Sequence, residues 1–233
     1  MYAISLTSIP PRYPHLGPVL ASLLAQRPAP ARVILALPDV PARFAAAPPP
    51  DTPDGVETWL LPRDEGPATK ALPAARALTG HIDRLIYCDD DWLMPPGWAA
   101  ALLDATTDRH AAAASGFGLD RLKRHGYRAP APGLTDIAQG FAGVCTRPEW
   151  LAGPGCIPPP AAWPVDDIWL SAQLARQGIS IRLAPAARTG MRHAFDDAHA
   201  LQDAVIDGRD RPAANRACMD EITARYGLWP PAP

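Results

Sequence analysis

Three adjacent carboxylates, Asp89-Asp90-Asp91, stand directly after the apolar run Arg84 to Cys88 and just before a turn forced by Pro95, Pro96 and Gly97. Neighbouring anions repel, so packing alone does not favour this placement. A divalent cation removes the repulsion, and hard cations such as Mg²⁺ and Mn²⁺ take carboxylate oxygens while sharing other positions with water and phosphate. Asp89 and Asp91 therefore read as a metal-diphosphate site at a strand's carboxyl end, where ligands bind in open α/β sheets. The plainer alternative is a solvated turn with Asp91 capping a helix. A second pair, Asp166-Asp167, opens a helical segment. Mutual repulsion can raise one of their pKa values and make it a general base, whereas the structural alternative is helix capping by Asp166 and dipole stabilisation by Asp167. Lys70 follows Gly66-Pro67-Ala68-Thr69 in a first helical turn. A cation there suits a bound anion, or else a surface ion pair with Glu65 or Asp64.

The elements that must position these groups alternate between strand and helix. Strands are expected over residues 2–7, 32–37, 56–61 and 84–88, the third nearer an edge, with a helix over 15–26. The first 39 residues read as a βαβ unit with parallel strands. Residues 68–78 suit a helix that Pro73 kinks or restarts. Further helices are expected over 96–103, 166–178 and 212–226, and further strands over 111–117 and 179–183. Residues 41–55 and the polar stretch 118–135, with Arg121, Lys123, Arg124, His125 and Arg128, read as loops, and the latter's basic cluster reads as solvated in preference to a phosphate clamp.

The 233 residues are 48% hydrophobic with a net charge of -2, enough for one sizeable α/β core and without the basic stripe of a nucleic-acid binder. No run approaches the roughly 18 apolar residues of a membrane span, and the amino terminus lacks the pattern of a signal peptide. Four widely spaced cysteines give neither a zinc motif nor a disulfide framework, which fits a reducing cytoplasm.

Taken in order, Ser5-Leu6-Thr7-Ser8-Ile9-Pro10-Pro11-Arg12, Gly66-Pro67-Ala68-Thr69-Lys70, Asp89-Asp90-Asp91, Asp166-Asp167-Ile168-Trp169-Leu170-Ser171 and Tyr226-Gly227-Leu228-Trp229 resemble the GT-A-fold glycosyltransferases, in particular small bacterial family-2-like enzymes. The resemblance implies a nucleotide-diphospho-sugar transferase fold with a mostly parallel central sheet flanked by helices. It implies a single domain whose residues 1–95 bind the nucleotide-sugar and whose residues 96–233 bind the acceptor. Thr7, Ser8, Ile9, Pro10, Arg12 and Asp39, with Lys70, Asp89 and Asp90, would lie along the donor. Asp89 and Asp91 would hold Mn²⁺ or Mg²⁺, with His193, or failing that His199, completing the shell. Asp166 or Asp167 would be the base of an inverting transfer. A UDP-sugar is the expected donor, and a glycan or lipid-linked acceptor in surface polysaccharide synthesis the expected partner, met in the cytoplasm or at the inner face of the membrane.

Three other readings compete. A haloacid-dehalogenase-type phosphohydrolase also places Asp-x-Asp after a strand, but it wants Thr or Val where Leu93 stands. A sugar nucleotidyltransferase needs a Gly-rich basic loop after the first strand, and Thr7 to Arg12 holds no glycine. A non-enzymatic nucleotide-sugar or carbohydrate-binding protein on the same fold is the third.

Overall fold

The computed structural model describes residues 1–124, 130–196 and 204–231. The chain opens with β1 (Tyr2–Leu6), α1 (Leu16–Leu24), β2 (Arg32–Pro38) and β3 (Val56–Leu61), then α2 (Leu72–Leu78) and β4 (Arg84–Cys88). After β5 (Trp92–Leu93) and α3 (Trp98–Ala105) come β6 (His110–Ala113), β7 (Gly116–Phe117), β8 (Leu134–Thr135), β9 (Ile137–Ala138) and β10 (Val144–Thr146). The last part holds α4 (Asp166–Arg176), β11 (Ser180–Leu183), α5 (Pro185–Arg188), β12 (Arg192–His193) and α6 (Arg211–Tyr226). No helix among the described residues is long and apolar enough to cross a membrane.

Eight strands form one sheet in the order β3-β2-β1-β4-β10-β6-β11-β8. The first four pair in parallel, β10 runs antiparallel between β4 and β6, and β8 is antiparallel to β11. The fold is therefore α/β with a mostly parallel sheet, as expected, and β3 is an edge. Side chains alternate across each strand. Ile4, Leu6, Val33, Leu35, Ile86 and Cys88 face one layer with α1 and α3, through Leu20, Leu23 and Trp98. Ala3, Ile34, Ala36, Leu85 and Tyr87 face the other, with Leu72 of α2, Trp169 of α4 and Ile222 of α6. Both faces are covered, which is why these strands read as unbroken apolar runs rather than alternating ones.

β1 lies between β2 and β4. Its crossover through α1 packs on one face and the later crossover through α2 packs on the other. The strand order reverses beside β1, and the loops beyond the carboxyl ends of β1 and β4 open at that point into a crevice.

Three expectations need adjustment. Residues 111–117 are not one strand: β6 belongs to the large sheet, while β7 pairs with β9 in a separate ribbon. The division falls at Ala114, whose N–H donates to Gly143 instead of continuing a ladder. The helix expected from residue 68 starts later, because Gly66–Lys70 is a tight 3₁₀ turn and Pro73 sits in the first turn of α2. This is the restart that a proline without an N–H imposes. The 118–135 stretch contains a 3₁₀ turn, Leu119–Leu122, and β8, while His125 and Arg128 lie outside the described residues. All four cysteines are free and buried.

Trp98 is fully buried and donates Nε1–H to the Ala142 carbonyl at 2.7 Å. Gly143 beside it has φ +100°, and a Cβ there would lie 2.3 Å from the indole. This contact fixes the start of β10 against α3. We expect Gly143→Ala to destabilise the fold by about 2–3 kcal/mol through combined overpacking and backbone strain. Chemical denaturation measures it, and a variant as stable as wild type refutes the packing argument.

Candidate active site

The crevice is a cleft of about 650 Å³. Asp89, Asp90 and Asp91 sit just beyond β4, and the three carboxylates have separate environments. Asp90 is buried and accepts hydrogen bonds from the Ser8 hydroxyl and from Arg12 Nη1. It thus ties the loop after β1 to the end of β4 while lining the cleft. Burial raises its pKa, against the opposing pull of Arg12 and Ser8. Asp91 lies 4.0 Å from Arg12 Nη2, and its Oδ1 is buried with no hydrogen-bond partner. Burial, then the charges of Asp89 and Asp90, push its pKa up to about 7.

Asp89 Oδ1 accepts from Lys70 Nζ at 2.6 Å. The same ammonium lies 2.9 Å from Asp166 Oδ2. Lys70 is only 2% exposed and lines the cleft, so it is not a surface lysine paired with Glu65 or Asp64. Glu65 pairs with Arg76, and Asp64 accepts backbone N–H groups of Gly66 and Ala42. The 3₁₀ turn is what carries Lys70 inward, since its side chain leaves before α2 begins. Burial lowers the lysine pKa, but Asp166, Asp89 and Asp167 outweigh it and hold the ammonium well above its ordinary value. Lys70 is therefore a permanent cation joining the two acidic groups.

Asp166 and Asp167 open α4, yet neither caps it. The N-cap is Val165 with no side-chain cap bond. Asp166 is turned to Lys70, and Asp167 Oδ1 accepts the Gly140 N–H at 2.8 Å. Burial, then repulsion from Asp166, push Asp167 up to about 7. The repulsion expected from the sequence is present, but burial is the larger cause. Gly140 has no room for a side chain: a Cβ would lie 2.6 Å from Lys70 Nζ and 3.1 Å from Asp167 Oδ1.

Of the other expected donor residues, Thr7, Ser8, Ile9 and Arg12 line the cleft. Pro10 and Asp39 do not; Asp39 is exposed, and its N–H extends the pairing of β2 to Leu61. Pro38, Pro41, Arg43 and Phe44 take that place in the wall. His193 reaches the cleft because β12 pairs with β5, placing it opposite Trp92. The two rings are tilted by 37° with centroids 3.8 Å apart, and Ala194 N–H donates to the Asp91 carbonyl. His199 lies outside the described residues. Trp92 and Trp163 line the cleft, whereas Trp169 is a core residue bonded to the Cys156 carbonyl. Sequence reasoning missed Arg188, Arg211 and Asn215 of the lining. Their only sequence signal is position near helix ends, which many residues share.

Among the described residues no group of three or more His, Cys, Asp or Glu is arranged to hold a metal alone. The orphaned Asp91 Oδ1 in a carboxylate-rich cleft nevertheless fits a hard cation that takes one or two protein oxygens and completes its shell with phosphate and water.

No family model matches the chain. No curated protein matches it either. Solved structures with related chain traces include the galactosyltransferase LgtC in complex with donor and acceptor sugar analogues, at 13% identity and TM-score 0.40, over 64% of this chain and 58% of that one. They also include S. aureus TarS 1-349, at 11% identity and TM-score 0.46, over 78% of this chain and 57% of that one. A mycobacterial protein aligns at 13% identity and TM-score 0.49 over 98% of this chain and 75% of its own. The chain thus spans under two thirds of the first two. At these identities and scores the likeness concerns the course of the backbone and brings no activity with it.

Because its pKa is raised, ionised Asp91 opposes folding. The stability it allows is fully present below the ordinary carboxylate range and is lost as pH rises toward about 7. In chelator, Asp91→Asn should melt about 3–6 °C above wild type at pH 8 and within about 1 °C of it at pH 4. A difference independent of pH would show that Asp91 is not held against its charge.

Proposed function

We propose that the protein is a glycosyltransferase that moves a sugar from a nucleotide-diphosphate donor to an acceptor hydroxyl. The observation that carries this reading is the single buried ammonium of Lys70, which joins Asp89 beyond β4 to Asp166 beside Asp167 on the floor of one cleft. Sugar transfer makes two demands at neighbouring points. Negative charge grows on the departing diphosphate, and a proton must leave the attacking hydroxyl. Cations must stand at the first point and a base at the second.

The donor's nucleotide lies along Thr7, Ser8 and Ile9, between the loop after β1 and the wall from Pro38 to Phe44. Its diphosphate lies over Asp89 and Asp91, with Lys70 and Arg12 beneath. Asp89 and Asp91, with His193 beside them, would hold Mn²⁺ or Mg²⁺, which would supply Lewis-acid stabilisation of the leaving diphosphate. Lys70 contributes fixed positive charge from below, at no cost of reorganisation, because it is already held by three carboxylates. Asp90 keeps Ser8 and Arg12 in register with β4 along the donor. Asp167 accepts the proton of the acceptor hydroxyl. The Gly140 N–H fixes one of its oxygens, and its pKa near 7 makes it a competent base in the neutral range. Asp166 holds Lys70 and keeps it from neutralising Asp167 fully. A carboxylate base opposite the leaving group corresponds to inversion at the anomeric carbon. A UDP-sugar donor, a glycan or lipid-linked acceptor and a role in surface polysaccharide synthesis belong to this proposal.

The test is a thermal-shift panel of nucleoside diphosphates and nucleotide-sugars with Mn²⁺, Mg²⁺ or chelator, since a ligand that binds only the folded state raises the melting temperature. We expect one nucleotide family to give a metal-dependent shift that Asp91→Ala removes. A panel without any shift overturns the reading. Asp167→Asn should keep that shift and lose at least about 100-fold in donor turnover. Equal turnover in this variant would remove Asp167 as the base.

A further inference from the structure

Arg188 is a cation of the cleft to which the proposal above gives no task. It ends α5, a single turn anchored on its inner side: Ala184, just before the turn, and Ala187 are buried in the layer of Trp98, and the Ala184 N–H donates to the Ala113 carbonyl at 2.8 Å. The arginine itself is exposed. Its guanidinium carbon lies 4.6 Å from the centre of the Phe141 ring and 5.6 Å from that of Trp92. The two rings are 5.3 Å apart, so Arg188 is seated on a ring pair. Each ring adjoins a group of the site. Trp92 follows Asp91 and lies against His193. Phe141 follows Gly140, whose N–H holds Asp167 and whose missing side chain leaves room for the tip of Lys70. The ring pair thus joins the end of the acidic triplet to the turn that anchors Asp167, and the guanidinium stands at that junction. Arg43 and Arg121 also lie over rings, Phe44 and Phe117, but neither ring adjoins one of these carboxylates in sequence.

Charge decides what Arg188 can do there. Lys70 is shared among carboxylates, and Arg12 is bonded to Asp90. Arg188 has its ring contacts and, among the described residues, no carboxylate partner. A divalent cation on Asp89 and Asp91 would have its formal charge cancelled by those two groups. A diphosphate entering at this point therefore meets open positive charge on Arg188. A guanidinium over a ring spends no hydrogen bond on it, so the N–H fork that matches phosphate oxygens stays available. Two rings also restrict the side chain, which leaves less rotamer freedom to lose on binding.

We propose that Arg188 is a phosphate-binding residue of the donor site, and that it takes the β-phosphate of a nucleoside diphosphate with Trp92 and Phe141 as its seat. The place picks the phosphate. The bond that breaks joins the sugar to the β-phosphate, and it must lie within reach of the hydroxyl that Asp167 deprotonates. Arg188 stands between Asp91 and the turn that anchors Asp167, which is the β-phosphate side of the site. The inference deepens the transferase reading and rests on it for the identity of the diphosphate.

The experiment is titration calorimetry with Mg²⁺ on wild type, Arg188→Gln, Arg188→Lys and the control Arg84→Gln, which lies at the opposite end of β4 from the cleft. The probes are the diphosphates and monophosphates of uridine, guanosine, adenosine and cytidine, and inorganic pyrophosphate. For at least one base, Arg188→Gln should weaken the diphosphate about tenfold and the monophosphate less than about twofold, while the control changes neither. Arg188→Lys should recover only part of the loss, because an ammonium offers no fork. If Arg188→Gln does not fold, Arg188→Lys carries the comparison: a loss of about threefold confined to the diphosphate supports the inference, and no loss overturns it. A diphosphate that binds wild type and Arg188→Gln alike, or mono- and diphosphate weakened equally, overturns this inference alone. If no nucleotide binds, the transferase reading fails and pyrophosphate decides the rest. Pyrophosphate weakened about tenfold by Arg188→Gln leaves the phosphate-binding role standing. Pyrophosphate that is unaffected, or that does not bind at millimolar concentration, overturns both.

Discussion

One buried charge organises the centre of this molecule. An isolated ammonium taken out of water costs several kcal/mol, so Lys70 can be buried only because carboxylates surround it. Asp89, Asp166 and Asp167 supply them from two distant elements, the end of β4 and the start of α4. The dependence runs both ways, since those carboxylates could not crowd together without the cation. Backbone choices follow from it. The turn Gly66–Lys70 is 3₁₀ rather than α, so the lysine enters the cleft before α2 starts. Residue 140 is glycine because any side chain would occupy the space of the lysine tip.

The arrangement leaves the acidic charge only partly balanced. Lys70 and Arg12 answer Asp89, Asp90 and Asp166, whereas Asp91 and Asp167 are each pushed toward neutrality by burial and by their neighbours. The two residues carry the same shift but differ in their oxygens. Asp167 has one oxygen anchored by the Gly140 amide, which suits a group that must hold its position while a proton moves. Asp91 has one buried oxygen with nothing to accept from, which suits a group that meets a ligand. Geometry, not pKa, separates the two carboxylates here.

Much of the framework could be read from the sequence because it depends on local pattern. The strands beginning at Tyr2, Arg32, Val56 and Arg84 announce themselves as apolar runs, and Pro73 marks the restart of a helix. The acidic triplet that lines the cleft stood out because electrostatic repulsion between neighbours is visible in one dimension. The partners of Lys70 could not, since the nearest acids in sequence, Asp64 and Glu65, are used by backbone amides and by Arg76. Asp39 looked like a wall residue because it follows a strand, yet its amide continues the pairing with Leu61 and its side chain stays outside. Arg188 and Arg211 carried no signal beyond a position near helix ends. They matter only through the rings and carbonyls that the folded chain sets beside them.

The reversed strand β10 has a consequence for the order of assembly. Its Val144 pairs with Tyr87 of β4 on one side and with Ala113 of β6 on the other. Its pairing with β4 joins residues 87 and 144, 57 apart, while the parallel β1–β4 pairing joins residues 3 and 85, 82 apart, so both central pairings close long stretches of chain. Loop-closure entropy is spent before such a distant pairing returns anything. Gly140 stands a few residues ahead of β10, so the amide that anchors Asp167 reaches the cleft only when this strand is seated. The Gly140 amide that meets Asp167 thus waits on a pairing of high sequence separation, as does the crevice between β1 and β4.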